Sequence, residues 1–96
     1  MEKLESLQKE DLQEPKMYKV VLLNDDVTTM DFVIEVLMRV FFHSFEKASE
    51  LMMQIHYEGS GVCGIYTQEI ALSKHKKVQI MAMEAHFPLQ SRVEEE

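Results

Sequence analysis

Three polar residues, Asn24, Asp25 and Asp26, stand between a strand-like apolar segment and an amphipathic one. Asn offers an amide oxygen, and the Asp carboxylates offer negative charge and acceptor oxygens. With an imidazole such as that of His56, these groups would suit a ligand that has several N–H donors and a positive charge. A peptide α-amino group has an unperturbed pKa of about 7.7 to 8.0 and is mostly charged at neutral pH. A binding site for an amino terminus is therefore one hypothesis for this segment.

The same segment also has a purely structural explanation. Asn and Asp side chains bond to nearby backbone amides and are common in turns. Thr28 or Thr29 can then cap the following helix, and Asp31 places negative charge in its first turn, where the helix dipole favours it. Residue types alone favour this structural explanation.

Apolar residues of two helices lie next to the polar segment. Met30 and Val33 belong to the first turn of one helix, and Met52 and Ile55 belong to the last turns of the next. These side chains could frame an apolar pocket, and methionine would let it adapt to several ligand shapes. Core packing explains the same spacing, and spacing alone favours core packing.

The sequence does not support catalysis. Cys63 is the only cysteine, and its place in a strand-like segment favours a small buried hydrophobe over a nucleophile. The four histidines are too far apart for a local zinc signature. The acidic segment lacks the spacing of a calcium loop, and no glycine-rich phosphate loop is present. We expect no enzyme, no cofactor and no metal; an enzyme that uses Cys63 with a histidine is the remote alternative.

The elements that must position these residues follow from hydrophobic periodicity. Met17 to Leu23 is strand-like. A helix follows from Met30, with its apolar stripe at i, i+3, i+4 and i+7. Ser44 can cap a second helix, which Gly59 and Gly61 are expected to end.

The rest of the chain predicts three more elements: a strand from Gly61 to Thr67, a helix from Thr67 to about Glu84, and a last strand from Leu89 to Val93. The order βααβαβ predicts an α+β fold, in which three helices cover a three-stranded, mainly antiparallel sheet. We expect one domain over residues 17–93, between a flexible N-terminal tail (1–16) and an acidic C-terminal end (94–96).

Length and charge exclude several classes of function. A chain of 96 residues with 46% hydrophobic content has room for one small domain. A formal charge of −7 argues against nucleic acid and anionic membranes as partners. Lys74, Lys76 and Lys77 form a basic cluster, which we interpret as the solvated face of a helix. The amino terminus lacks the apolar run of a signal peptide, so we expect a cytoplasmic protein.

Four stretches of the chain strongly resemble the ClpS family: Tyr18–Asp26, Met30–Ile34, Leu51–Gly59 and Val62–Thr67. These proteins are adaptors that deliver N-degron substrates to Clp-type AAA+ unfoldases. The resemblance covers roughly residues 16 to 90, with the motifs in the same order and at the same separations.

The resemblance implies roles for the polar residues. Asn24 and Asp25 would hold the α-amino group of the substrate, and His56 would complete the set directly or through water. Asp26 and Thr28 would contact the peptide backbone or shape the loop.

The resemblance also implies a pocket for the first side chain of the substrate, which in this family is Leu, Phe, Tyr or Trp. Its lining would be Met30, Val33, Met52, Ile55 and Leu89. Met30 would act as a gate that disfavours β-branched side chains. Thr29 departs from the family, which commonly has Pro there, and we expect a slightly looser helix start.

The implied partner is the N-domain of a Clp AAA+ unfoldase of the ClpA or ClpC type. Glu69 and Lys74 match positions that touch this domain, and the tail, residues 1–16, would engage the unfoldase during delivery. The adaptor is expected to be a monomer. The alternative is a domain of the same fold that works as an N-recognin or as a general protein-interaction module, without delivery to Clp.

Overall fold

The computed structural model describes residues 15–96, which form three strands and three helices around one sheet. The elements are β1 (Met17–Leu23), α1 (Met30–Arg39), α2 (Phe45–Glu58), β2 (Ser60–Thr67), α3 (Gln68–Ala85) and β3 (Gln90–Glu95). The strands lie in the order β2-β1-β3, and both pairings are antiparallel. The predicted element order and fold class are confirmed. The predicted tail lies outside the described residues, except for Pro15 and Lys16.

The central position of β1 explains why it is apolar at almost every residue. It pairs with β2 along one edge and with β3 along the other, and Val20 and Leu22 are fully buried. Helix residues complete the core around them: Val36, Leu37, Ala48, Leu51, Ile55, Ala71, Val78 and Ala82. Between residues 15 and 96, no helix has the length and apolar character that a membrane span requires.

Side-chain caps begin the first two helices. The Oγ1 atom of Thr29 accepts a hydrogen bond from the Phe32 N–H at 3.2 Å, and the Oγ atom of Ser44 accepts one from the Lys47 N–H at 3.1 Å. Thr29, rather than Thr28, is therefore the cap of α1. The slightly looser helix start that we expect without a proline at this position stays a prediction. Thr67 occupies the N-cap position of α3, but its side chain makes no capping bond.

The prediction that two glycines end α2 is wrong for one of them. Gly59 adopts the left-handed conformation, with φ of 93°, and its N–H donates to the Ile55 carbonyl. This conformation is cheap only for glycine, which explains why the helix ends there. Gly61 lies within β2 at an ordinary φ and is buried.

The last strand extends further than predicted. It runs over Gln90–Glu95, so Glu94 and Glu95 belong to the sheet and not to a separate acidic end. Lys side chains of the neighbouring segment compensate the charge, with Nζ–Oε1 distances of 4.0 Å for Lys19 and Glu94 and 3.5 Å for Lys16 and Glu95.

The interpretation of the basic cluster as a solvated face is wrong for Lys74. Its side chain is buried, at 8% exposure, and its Nζ donates to the Val40 carbonyl at 2.7 Å. The same Nζ lies 4.3 Å from the centre of the Phe42 ring. Lys74 therefore holds the end of α1 against α3, while Lys76 and Lys77 are exposed as predicted.

Candidate functional site: a cavity between the polar loop and two helices

A cavity of about 360 Å³ lies between the loop that follows β1 and the facing ends of α1 and α2. Most of its lining was predicted from the sequence: Asn24, Asp25, Asp26, Thr28, Met30, Val33, Met52, Ile55 and His56. Sequence reasoning assigned no site role to Val27 and Thr29, which also line the cavity. Their position inside the polar loop was the available signal.

The sheet brings the loop and the end of α2 together. The turn at Gly59 sends the chain back along β1, so that Leu23 pairs with Ser60. The next backbone N–H, that of Asn24, donates to the Gly59 carbonyl at 2.9 Å. His56 lies one helical turn before Gly59, and this pairing places it on the same cavity as Asn24.

Hydrogen bonds within the loop fix the Asp25 carboxylate. Its Oδ1 atom accepts from the N–H groups of Val27 and Thr28, at 2.8 Å and 2.6 Å. Its Oδ2 atom accepts from the Thr28 hydroxyl at 2.7 Å. Asp25 therefore stabilises the turn, as the structural explanation of this segment expects, and the same carboxylate lines the cavity.

These hydrogen bonds decide the charge of Asp25. Partial burial raises the pKa of this carboxyl, but the bonds from the Thr28 N–H, the Thr28 hydroxyl and the Val27 N–H outweigh burial and hold the pKa below its usual value. A carboxylate that accepts several hydrogen bonds favours the ionised form. The rim of the cavity therefore carries a fixed negative charge at neutral pH.

Apolar side chains form the deeper part of the cavity. Val33, Met52 and Ile55 are buried, whereas Met30, at the start of α1, is 45% exposed. Met30 thus stands where the cavity meets solvent. The cavity combines an anionic, oxygen-rich rim with an apolar interior.

Three predicted residues lie elsewhere. Leu89 is buried in the core at 5% exposure, and it borders a separate surface hollow near Met83 and Phe87 rather than this cavity. Glu69 is exposed in the first turn of α3. Lys74 is buried as described above, so only Glu69 of the two predicted docking residues offers its side chain to solvent.

The surroundings of Cys63 do not favour nucleophilic chemistry. The thiol is buried, and burial raises its pKa to about 12. His43 bonds to the backbone of Cys63 and not to its sulfur. Its Nε2 atom lies 2.7 Å from the Cys63 carbonyl oxygen and donates to it, since a carbonyl oxygen can only accept. Among residues 15–96, no three His, Cys, Asp or Glu side chains are grouped as a metal site would require.

Comparison with known proteins gives consistent results. Residues 13–92 match the family model described as ATP-dependent Clp protease adaptor protein ClpS. The chain is 66% identical, over the full length of both chains, to the ATP-dependent Clp protease adapter protein ClpS of Campylobacter jejuni strain RM1221. It is 51% identical to the protein of the same name from Acetivibrio thermocellus, over 90% of this chain and 87% of that protein.

A solved structure has the same fold. The structure of Agrobacterium tumefaciens ClpS2 bound to L-phenylalaninamide superposes with a TM-score of 0.83 and 42% sequence identity, and the match covers 86% of this chain and all of that one. The relatives are named as adaptors and not as enzymes. From the family model and the full-length identity, this chain belongs to the ClpS family of adaptors of the ATP-dependent Clp protease.

Proposed function

We propose that this protein binds the free α-amino group and the bulky hydrophobic first side chain of N-degron substrates, and delivers them to a Clp AAA+ unfoldase for proteolysis. The observation that carries the proposal is a single cavity with an anionic rim and an apolar interior. A first residue with a charged amine beside a large apolar side chain has the complementary chemistry.

The amine contacts are assigned to the rim. A carboxylate offers about four lone-pair sites. The N–H groups of Val27 and Thr28 occupy both lone-pair sites of Asp25 Oδ1. The Thr28 hydroxyl occupies one of the two lone-pair sites of Oδ2. Oδ2 therefore retains one acceptor position for the ammonium, and Asn24 and His56 supply the others. Asp26 and Thr28 contact the following peptide backbone or shape the loop.

The first side chain is assigned to the apolar interior formed by Met30, Val33, Met52 and Ile55. Ligand cavities have volumes of about 300 to 1,000 Å³, and at about 360 Å³ this one is of a size for a single large side chain. L-phenylalaninamide, the ligand of the Agrobacterium relative, carries a free amine and a phenyl group. It supports the assignment of both parts of the cavity.

The magnitudes fit an adaptor that must also release its substrate. Burial of a Leu or Phe side chain contributes about 1.5 to 3 kcal/mol, and each hydrogen bond to a charged group contributes about 1.5 to 3 kcal/mol. One side chain and two or three such bonds, less the cost of association, correspond to an affinity near micromolar, about −8 kcal/mol.

The test compares two peptides that differ only at the amino terminus. A peptide that begins with Phe should bind, and the same peptide with an acetylated α-amine should bind at least about 100-fold more weakly, because acetylation removes the charge and two donors. Isothermal titration calorimetry measures both affinities. Equal binding of the two peptides would contradict the ammonium site. A third peptide that begins with Val should bind weakly if Met30 acts as the gate.

Delivery needs a second surface, for which we propose the region of α3 around the exposed Glu69, together with residues 1–16. The partner is the N-domain of a ClpA-type or ClpC-type unfoldase, and the adaptor acts as a monomer.

Removal of residues 1–14 should leave peptide affinity unchanged and abolish unfoldase-dependent degradation of a substrate that begins with Phe. Peptide binding without association with any hexameric unfoldase would favour the alternative, an N-recognin or a general interaction domain.

A further inference from the structure

Gly61 has no backbone reason to be glycine. It pairs with Leu22 in the antiparallel ladder, and its φ is not in the left-handed region, in contrast to that of Gly59. Any residue can adopt this extended conformation. The reason for glycine at this position must therefore lie in the space around it.

That space is occupied by a side chain of the cavity lining. A Cβ atom built on Gly61 would lie 2.8 Å from Ile55 Cγ1 and 3.6 Å from Ile55 Cδ1, with Leu51 Cδ1 at 3.4 Å. The first distance is too short for two carbon atoms, whose optimal separation is about 3.5 to 4.0 Å. The Cγ1–Cδ1 branch of Ile55 thus lies against Gly61 only because Gly61 has no side chain.

Ile55 connects this contact to the candidate site. It is 2% exposed and lines the cavity together with Met52 and Val33. Ile55 belongs to the buried core cluster together with Leu51, and protein interiors are packed too densely to absorb a displaced branch. The open space next to Ile55 is the cavity itself.

We infer that Gly61 is a positioning residue that sets the width of the first-residue pocket. It allows Ile55 to withdraw from the cavity, and a larger residue at position 61 pushes Ile55 into it. This inference rests on the proposed function, because it takes the cavity as the pocket for the first side chain. It adds a specificity determinant on β2, a strand that does not itself line the cavity.

The test measures a ratio rather than an affinity. Two peptides are identical except that one begins with Phe and the other with Leu, and the quantity is the ratio of their dissociation constants. Gly61→Ala should shift this ratio toward Leu by on the order of tenfold, as expected for one methylene group in an apolar pocket. Ile55→Val removes only Cδ1, which lies on the side of Gly61, and should leave this ratio close to that of the wild type.

The double variant Ile55→Val with Gly61→Ala relieves part of the crowding, because valine lacks Cδ1 but keeps a methyl group where Ile55 Cγ1 lies 2.8 Å from the new Cβ atom. It also keeps the test decisive if Gly61→Ala alone fails to fold, because the double variant can be compared with Ile55→Val. In that background as well, alanine at position 61 should shift the ratio toward Leu.

Gly64→Ala is the matched control on the same strand. Its Cβ would meet the hydroxyl of Tyr66, and neither residue lines the cavity. The Phe-to-Leu ratio should not change. If Gly61→Ala leaves the ratio unchanged in both backgrounds, or shifts it toward Phe, the inference is overturned. Failure of the proposed function would give a different result from failure of this inference. In that case the wild-type protein would bind the free and the acetylated peptides equally.

Discussion

Thr28 holds both oxygens of the Asp25 carboxylate. Its backbone N–H donates to Oδ1 at 2.6 Å, and its hydroxyl donates to Oδ2 at 2.7 Å. The hydroxyl bond orients the oxygen that we assign to the substrate ammonium, and both bonds favour the charged form of Asp25. Thr28 therefore acts on the amine site through Asp25, in addition to any contact of its own.

Replacement of Thr28 by valine tests this relationship. Valine has nearly the same shape and keeps the backbone N–H, but it lacks the hydroxyl. We expect the pKa of Asp25 to rise toward its usual value, and the affinity for a peptide that begins with Phe to fall about tenfold, in line with the loss of one hydrogen bond. NMR titration of the carboxyl carbon and calorimetry measure the two effects. Thr28→Ser keeps the hydroxyl and should change neither.

Asp25→Asn separates charge from loop structure. The amide oxygen can still accept from the N–H groups of Val27 and Thr28, so the loop should persist, but the negative charge is lost. We expect at least about tenfold weaker binding of the free-amine peptide, since hydrogen bonds to charged groups are worth about 1.5 to 3 kcal/mol. Asp31→Asn removes an exposed carboxylate in the first turn of α1, outside the cavity lining, and should leave binding unchanged.

The same variant should alter the dependence of stability on pH. Because the pKa of Asp25 is lowered on folding, the unfolded chain binds more protons in acid. Its contribution to the free energy of unfolding is present above the unfolded pKa of 3.8 and is lost as pH falls through the lower folded pKa. The free energy of unfolding, measured by urea titrations, should therefore fall less steeply between pH 6 and pH 2 for Asp25→Asn than for the wild type. Parallel profiles would contradict this role of the carboxylate.

Features that depend on neighbouring residues were predictable from the sequence. The strand that contains Val20 and Leu22, the caps at Thr29 and Ser44, and the end of α2 at Gly59 all follow from local periodicity or local hydrogen bonds. The polar loop also lies close in sequence to Met30 and Val33. Met52 and Ile55 join the same cavity through the pairing of β1 with β2, and the sequence indicated this grouping only through the resemblance to the ClpS family.

Features that depend on contacts between residues distant in sequence were not predictable from the sequence. The burial of Lys74 depends on a carbonyl thirty-four residues away, and no local pattern marks that contact. The extent of β3 depends on the partners that β1 offers to Glu94 and Glu95. The reason for glycine at position 61 depends on the packing of Ile55 across two elements. Propensity describes a residue alone, whereas these outcomes depend on tertiary contacts.

Cys63 should be unreactive in the native protein. Its buried thiol has a pKa of about 12, so almost no thiolate exists at pH 8. Iodoacetamide should leave the native protein unlabelled at that pH and should label it fully in urea, as mass spectrometry would show. Because burial raises the pKa above its ordinary value of 9.0, stability should fall as pH rises from about 9 toward 12. Rapid native labelling would reopen the enzyme alternative.

Lys74→Met should lower stability without affecting peptide binding. Methionine fills much of the space of the lysine stem, but it removes the ammonium that bonds to the Val40 carbonyl at 2.7 Å and lies over the Phe42 ring. We expect the free energy of unfolding to fall by about 1.5 to 3 kcal/mol, the range for hydrogen bonds to charged groups. Urea denaturation measures the loss, and calorimetry should find the wild-type peptide affinity, since Lys74 does not line the cavity.

Lys76→Met provides the control for this change, because it makes the same replacement at an exposed position two residues further along α3. Exposed substitutions away from special contacts usually alter stability by less than about 0.5 kcal/mol. The two variants have the same net charge, so a difference between them cannot come from overall charge. Equal stability of the two variants would mean that the buried ammonium contributes nothing net, because its desolvation cancels its hydrogen bond and its contact with the aromatic ring.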